Sequence, residues 1–235
     1  MSKFRSNIKI TISELKIVFP YTLPVLTGFL LLGMTYGVLM HTKGYSFLYS
    51  TLMSILAFCG SMQFVAITLL TTAFDPLSAF LLSLMVNARH IFYGIAMLER
   101  YKGMKKIKPF LIFTLCDETF SILSSIQVPN QLSSKRFYAY VSLLDYSYWI
   151  LGTFLGGLLA NFVTIKLIGL DFVLTALFVV LFMQQMKLKT NRIYGIMGVI
   201  ITSTSLMFFG RNDFIIMSML LILISLLFME KRSWY

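Results

Sequence analysis

The residues of this chain that could do chemistry in an apolar setting lie in one short stretch. Asn87, Arg89 and His90 place an amide, a guanidinium and an imidazole within four residues, inside an apolar run over residues 76–98. Such a run can cross a bilayer, which takes about 20 apolar residues in a helix. An arginine at that depth costs at least about 2.5–3.5 kcal/mol on insertion scales. We therefore expect Arg89 to face protein or water and to have partners there.

Two adjacent carboxylates, Asp117 and Glu118, lie in the next apolar run, residues 109–128. Because charges inside a membrane usually pair with one another, we expect Arg89 to pair with one of the two. Neighbouring residues on a helix point in different directions, so the other carboxylate could line a cavity. The sequence leaves open which of them pairs.

The composition predicts an integral membrane protein built of helices. Hydrophobic residues make up 58% of the chain and charged residues 12%, whereas soluble domains carry about 25% charged residues. The apolar runs are long and continuous, which favours helices over the alternating strands of a barrel. We predict an all-α, polytopic transmembrane helical bundle with seven to eight membrane segments. The net charge of +11 comes from basic residues in connections and at the ends, where they set topology rather than bind nucleic acid.

We divide the chain into three predicted regions. Residues 1–17 form a basic cytoplasmic N-terminal segment, residues 18–230 a single transmembrane domain, and residues 231–235 an interfacial tail. The two cysteines, Cys59 and Cys116, lie in apolar runs and have neither a disulfide framework nor the spacing of metal ligands. We predict no metal and no cofactor.

The apolar run over residues 47–72 is interrupted in its middle by glycine, serine and glutamine. Such a stretch can break a membrane helix and expose backbone groups, so we predict a broken or re-entrant helix at Cys59–Gln63. An ordinary helix with small residues against a neighbour is the alternative. The positive-inside rule does not separate the two arrangements, because the number of basic residues inside is the same. We favour the hairpin, since it places the basic cluster over residues 100–108 on the cytoplasmic side.

Five short motifs follow one another along the chain. They are Gly60-Ser61 with Gln63-Phe64, Asn87-Ala88-Arg89-His90, Asp117-Glu118-Thr119-Phe120, Trp149 to Thr153 with Gly156, and residues 169–172 with 176–178. In order and spacing they resemble the AzlC family of large subunits of bacterial branched-chain amino acid exporters. Met62 departs from the family, where a small residue is more usual, and the last two spans carry no matching motif. The resemblance implies a multi-pass secondary transporter of the bacterial cytoplasmic membrane. It would export branched-chain amino acids, with methionine as a further candidate, alongside a small AzlD-type membrane subunit.

The same residues suit an amino acid zwitterion, which needs one group for its carboxylate, one for its ammonium and an apolar pocket. Backbone N–H groups near Gly60 and Ser61, or the Arg89 guanidinium, could bind the carboxylate. Asp117 or Glu118 could bind the ammonium or carry a coupling proton. The candidate substrate-binding or coupling residues are Gly60, Ser61, Gln63, Asn87, Arg89, His90, Asp117, Glu118 and Thr119.

Each of these residues also has a structural interpretation. The Arg89 ion pair could only lock two helices together, and Gln63 and Asn87 could be interhelical hydrogen-bonding groups. His90 is either a proton relay or a packing residue.

Two other function classes are weighed against a transporter. A channel would need repeated rings of polar groups, and the sequence has no repeated pore motif. An intramembrane hydrolase could use Ser61, His90 and Asp117 as a catalytic triad, but the sequence lacks the glycine pattern of a nucleophile elbow. We predict that the chain is not an enzyme.

Overall fold

A computed structural model of the chain describes residues 2–73, 75–162, 179, 182–183, 186 and 189–232. Among these residues the regular elements are helical, and no strand occurs, which confirms the predicted all-α class. Most of the apolar run over residues 167–186, the motifs at 169–172 and 176–178, and the last three residues of the predicted tail lie outside the described residues. The helices are α1 (Ser2–Thr42), α2 (Phe47–Leu56), α3 (Gly60–Thr71), α4 (Pro76–Met97), α5 (Lys108–Phe113), α6 (Asp117–Ser125), α7 (Ser134–Ala160) and α8 (Lys189–Arg232).

The chain forms two compact units, residues 1–166 and residues 167–235. In the second unit, α8 is interrupted at Gly210, whose φ of 71° lies in the left-handed region that favours glycine. Three helical stretches in the described part of the chain are long and apolar enough to cross a membrane: Ile12–Thr42, Ser134–Ala160 and Arg192–Gly210. With 22 residues, α4 is also long enough, at about 33 Å. The count of seven to eight segments stays a prediction, as does the boundary at residue 17, which falls inside α1.

α1 and α7 are packed backbone to backbone and run in the same direction. A Cβ placed on Gly33 of α1 would lie 2.9 Å from the carbonyl oxygen of Trp149, and one on Gly156 of α7 would overlap the backbone of Met34. Near the start of α7, Arg136 forms an ion pair with Glu14, in the first half of α1. Glycines permit this approach, the usual way in which membrane helices gain packing energy.

The apolar core of the first unit lies where α1 and α7 meet the helices α5 and α6. Its fully buried members come from all four helices, and they are Val18, Leu111, Leu123, Phe137 and Val141.

α2 and α3 form a hairpin, because the chain turns back between them at residues 57–59. The end of α3 returns to the connection before α2, where the Tyr45 hydroxyl donates to the Leu70 carbonyl at 3.1 Å. Near the tip, the Gln63 amide donates to the Ser54 hydroxyl at 3.0 Å. The predicted interruption is confirmed and lies slightly earlier than expected, since residues from Gly60 to Gln63 already form the first turn of α3.

α5 and α6 form a second hairpin, broken at residues 114–116, which the sequence did not predict. Arg100, in the connection before α5, donates to two carbonyls in the last turn of α6. These are the carbonyl of Leu123 and the carbonyl of Ser124, the latter at 3.0 Å. These carbonyls have no partner inside the helix, so the guanidinium satisfies them. The second hairpin therefore also begins and ends at one place.

The open ends of the two hairpins lie at opposite ends of α7. A Cβ on Gly157, near the end of α7, would lie 2.9 Å from the Cβ of Phe47 at the start of the first hairpin. Near the start of α7, the ring of Tyr138 lies 6.1 Å from that of Tyr101, in the connection that leads to the second hairpin.

The tips of both hairpins reach the middle of α7. Gly60, at the first tip, faces the indole of Trp149, whose Cη2 lies 3.0 Å from a Cβ placed on the glycine. Thr119, in the first turn of α6, donates to Asp145 at 2.8 Å. The hairpins thus approach the centre of the unit from opposite directions.

The close contact of α1 and α7 predicts that Gly156 does not accept a side chain. Gly156→Ala should lower the free energy of unfolding by about 1–3 kcal/mol, the usual cost of overpacking, measured as the thermal unfolding of the purified protein in micelles. Gly28→Ala is the matched control, since a Cβ there would meet no atom within 4 Å. Equal midpoints for the two variants would contradict the packing.

The hairpin arrangement predicts which connections share a side of the membrane. Single cysteines at Lys43→Cys and Thr72→Cys should react with a membrane-impermeant maleimide from one side, and those at Lys102→Cys and Gln131→Cys from the other. All four positions are exposed, and the unsubstituted chain controls for Cys59 and Cys116. Labelling of residues 43 and 72 from opposite sides would mean that α2 and α3 cross the membrane together.

Candidate functional site

The two hairpin tips meet at the guanidinium of Arg89, which projects from α4. One of its terminal nitrogens, Nη1, forms an ion pair with Asp117 at the start of α6. The other, Nη2, donates to Ser61 Oγ in the first turn of α3 at 2.6 Å. Of the two carboxylates that the sequence left open, Asp117 is the one that pairs. A single cation therefore joins three chain segments that are 28 residues apart in sequence.

Polar atoms of this ion pair remain unused. Arg89 Nε and Asp117 Oδ1 are both buried and have no hydrogen-bond partner. The side chains as a whole are not sealed, since 29% of the Arg89 side chain and 22% of the Asp117 side chain are exposed. Buried polar groups are nearly always paired, so an unpaired donor and an unpaired acceptor in two partly exposed side chains mark a candidate binding site.

Asn87 and His90 lie on the same helix as Arg89 but bond elsewhere. The Asn87 side-chain oxygen accepts from the thiol of Cys59, at the first break, at 2.8 Å. His90 Nδ1 lies 3.3 Å from the carbonyl oxygen of Asn87, and its ring packs edge-on against Tyr93 at 5.8 Å. Asn87 therefore holds α4 against the first tip, and His90 borders the site without contacting the ion pair.

Gln63 lies behind the first tip and links it to α7. It is 1% exposed, its amide donates to Ser54, and its oxygen accepts from the Trp149 indole at 2.6 Å. Ser54 in turn lies 2.9 Å from the hydroxyl of Thr153. These bonds satisfy Gln63 within the protein.

The second tip carries Glu118 and Thr119. Glu118 follows Asp117 in the first turn of α6 and is partly buried. Thr119 is fully buried and bonds both to Cys116 Sγ, at 3.2 Å, and to Asp145 on α7. Each break thus ends with a cysteine that makes a polar contact, rather than with a purely apolar packing residue.

Asp145 is the residue that the sequence reasoning passed over. It is completely buried in the middle of α7, and its Oδ1 has no hydrogen-bond partner. The signal was present, because Asp145 is a carboxylate inside the apolar run over residues 137–160, the same kind of signal that drew attention to Asp117.

A cavity of about 340 Å³ lies between α4 and α5, and neither Arg89 nor Asp117 lines it. His90, which follows Arg89 in the sequence, and Leu115, which precedes Cys116, both line it. The rest of the lining is mostly aliphatic, with Tyr101 and Lys108 as its other polar members, and includes Ile91, Gly94, Ile95, Leu98 and Ile112. An apolar cavity of this size suits the aliphatic part of a ligand.

The hydrolase alternative does not assemble in this geometry. Ser61 Oγ bonds to Arg89, Asp117 pairs with the same guanidinium, and His90 bonds to the backbone of its own helix. A nucleophile, base and orienting acid would need to bond in sequence.

Comparison with known proteins matches the AzlC protein family to residues 24–163. The chain belongs to the AzlC family. It is 46% identical over 205 residues to the branched-chain amino acid transport protein AzlC of Bacillus subtilis, covering 87% of this chain and 81% of the relative. It is 38% identical over 217 residues to a membrane protein of Helicobacter pylori, covering 92% and 95%. The inner membrane protein YgaZ of Escherichia coli is 26% identical over 178 residues, 72% of each chain. No solved structure matches the chain.

In this AzlC-family protein, removing one partner of the ion pair should destabilise the fold more than removing both. Arg89→Gln leaves the negative charge of Asp117 uncompensated, and Asp117→Asn leaves the positive charge of the Arg89 guanidinium uncompensated. We expect a double-mutant cycle to give a coupling of roughly 0.5–3 kcal/mol, measured by thermal unfolding in micelles. The exposed pair Glu99 and Lys102, 3.7 Å apart, is the matched control and should couple weakly. Additive effects at residues 89 and 117 would contradict the pairing.

Proposed function

We propose that this protein is a secondary transporter that exports branched-chain amino acids across the bacterial cytoplasmic membrane. Membership of the AzlC family and the transport name of the Bacillus subtilis relative support this class. The single observation that carries the proposal is the meeting of two hairpin tips at Arg89. Interrupted helices with a site between their ends are typical of secondary transporters.

The substrate's two charged groups match the two unused polar atoms. The Arg89 Nε–H binds the substrate carboxylate, and Ser61 with the first backbone N–H groups of α3 adds donors at a helix N-terminus. Asp117 Oδ1 accepts from the substrate ammonium. Substrate binding then satisfies the atoms that the protein leaves unpaired, which favours a zwitterion over an ion of a single charge.

The substrate's aliphatic side chain occupies the cavity between α4 and α5. Its aliphatic lining, from Ile91, Ile95, Leu98, Ile112 and Leu115, has no charge apart from Lys108 and the bordering His90. Leucine, isoleucine and valine suit this lining, and methionine fits as a flexible thioether chain.

The distribution of basic residues supports a cytoplasmic N-terminus and two re-entrant hairpins. Suppose that α1, α4 and α7 cross the membrane and that each hairpin returns to the side from which it entered. Among the first 162 residues, eleven basic residues then lie on the same side of the membrane as the N-terminus, and Lys43 alone lies on the other side. Arg89 lies between the two sides. The eleven are Lys3, Arg5, Lys9, Lys16, Arg100, Lys102, Lys105, Lys106, Lys108, Lys135 and Arg136.

We further propose that the protein acts as the large subunit of a two-component permease, with a small AzlD-type membrane protein as its partner. The resemblance of the site motifs to large exporter subunits supports this part of the proposal. The name of the Escherichia coli relative, an inner membrane protein, supports the location.

The test is efflux of labelled leucine, isoleucine, valine and methionine from cells that express this chain, with and without an AzlD-type subunit. Arg89→Gln and Asp117→Asn should each lower saturable efflux. A hydrogen bond to a charged group is worth about 1.5–3 kcal/mol, so we expect at least about a tenfold loss.

Lys102→Gln and Glu99→Gln are the matched controls, because they remove the same charges from an exposed connection. They should leave efflux unchanged, and membrane levels of all variants are compared by immunoblot. Full efflux in the Arg89 and Asp117 variants would reduce the ion pair to a structural role. No efflux of any of the four amino acids, even with the small subunit, would overturn the proposed substrate.

A further inference from the structure

We propose that Asp145 is the proton-binding group through which this transporter uses the proton gradient. The inference rests on the proposed transport function but concerns a different site from the one that binds the amino acid. Asp145 lies on α7 and makes no contact with Arg89, so it is outside the ion pair described above. Its ligand is a proton, and its carboxyl group alternates between the neutral and the ionised form.

The geometry around Asp145 leaves one oxygen bonded and one free. Oδ2 accepts from the Thr119 hydroxyl at 2.8 Å, and Oδ1 has no partner. One turn earlier on α7, Ser142 is also fully buried, with a hydroxyl that has no partner. Two unsatisfied polar atoms therefore lie one helical turn apart on α7.

No cation balances a charge on Asp145 among the described residues, where the salt bridges all involve other carboxylates. The titratable groups near it are Glu118 of α6, Cys116 of the second break and Tyr148 of α7. On α1, the residue that contacts this group is the uncharged Thr22, whose hydroxyl lies 3.0 Å from the hydroxyl of Tyr148. An ionised Asp145 has one hydrogen-bond donor and no cation among the described residues, so its charge is poorly compensated, and uptake of a proton removes that cost.

α6 connects this proton site to the amino acid site. Asp117 pairs with Arg89, and Thr119, two residues later in the same first turn, bonds to Asp145. A displacement of α6 when the substrate occupies the ion pair therefore changes the position of the Thr119 hydroxyl relative to Asp145. Because one short helix holds a partner of each site, binding of the amino acid and binding of the proton are coupled, and export driven by an inward proton gradient requires the two to alternate.

The experiment uses purified protein in liposomes, with its small subunit where that is needed for activity. Two fluxes of labelled leucine are compared: net flux driven by a pH gradient, and counterflow exchange with no gradient. Asp145→Asn should abolish the response to the gradient and retain counterflow, because exchange requires no net movement of protons. Asp145→Glu should retain both fluxes, and Glu99→Gln, an exposed carboxylate changed in the same way, should match the unsubstituted protein.

Gradient-driven flux that persists in Asp145→Asn would overturn the inference, as would loss of counterflow in correctly folded protein, which would make Asp145 part of amino acid binding. The proposed function fails separately, when the unsubstituted protein shows no counterflow of leucine, isoleucine, valine or methionine.

A second measurement needs no substrate. In infrared difference spectra recorded across a pH titration, the C=O stretching band of the protonated Asp145 carboxyl should be missing in Asp145→Asn and shifted in Asp145→Glu. A spectrum unchanged in both would also overturn the inference.

Discussion

A guanidinium inside a membrane must be paired, and the architecture of the first unit follows from how this chain pairs Arg89. Its partners, Ser61 and Asp117, come from the first turns of two helices that begin in the middle of the unit. A continuous helix would offer only side chains along its surface, whereas an interrupted one also brings free backbone N–H groups to the same point. Lipid does not tolerate such free backbone groups, so the interruptions must be enclosed by protein, and α1, α4 and α7 provide that enclosure.

The two hairpins have the same sequence of structural features along the chain. Each follows a long helix, turns at a three-residue break that ends in a cysteine, and returns to the connection from which it started. In the first, Tyr45 donates to the last turn of α3, and in the second, Arg100 donates to the last turn of α6. Because these bonds satisfy carbonyls at the ends of the short helices, each hairpin is closed at its base.

Part of this arrangement could be predicted from the sequence, and the rest depends on contacts between distant residues. The pairing of Arg89 with a carboxylate follows from the cost of an isolated charge, and the first break follows from glycine and serine in an apolar run. The second break has no such signal, because the residues before Cys116 are compatible with a helix. It becomes visible only through Arg100, which bonds to the far end of α6. Asp145 carries the same sequence signal as Asp117, a carboxylate in an apolar run, but its partner Thr119 is uncharged, so no complementary charge pointed to it.

The middle of α7 is where the structure connects the two tips, and this explains why one helix can coordinate them. Trp149 bonds to Gln63 of the first hairpin, and Asp145, one turn earlier, bonds to Thr119 of the second. Both contacts are buried, while Arg89 spans the tips from the opposite element, α4. A change at either tip must therefore be accommodated by α4 and α7 together, since buried polar groups do not remain unpaired without cost. In an alternating-access cycle this constraint favours movement of one hairpin at a time, with the other held on α7.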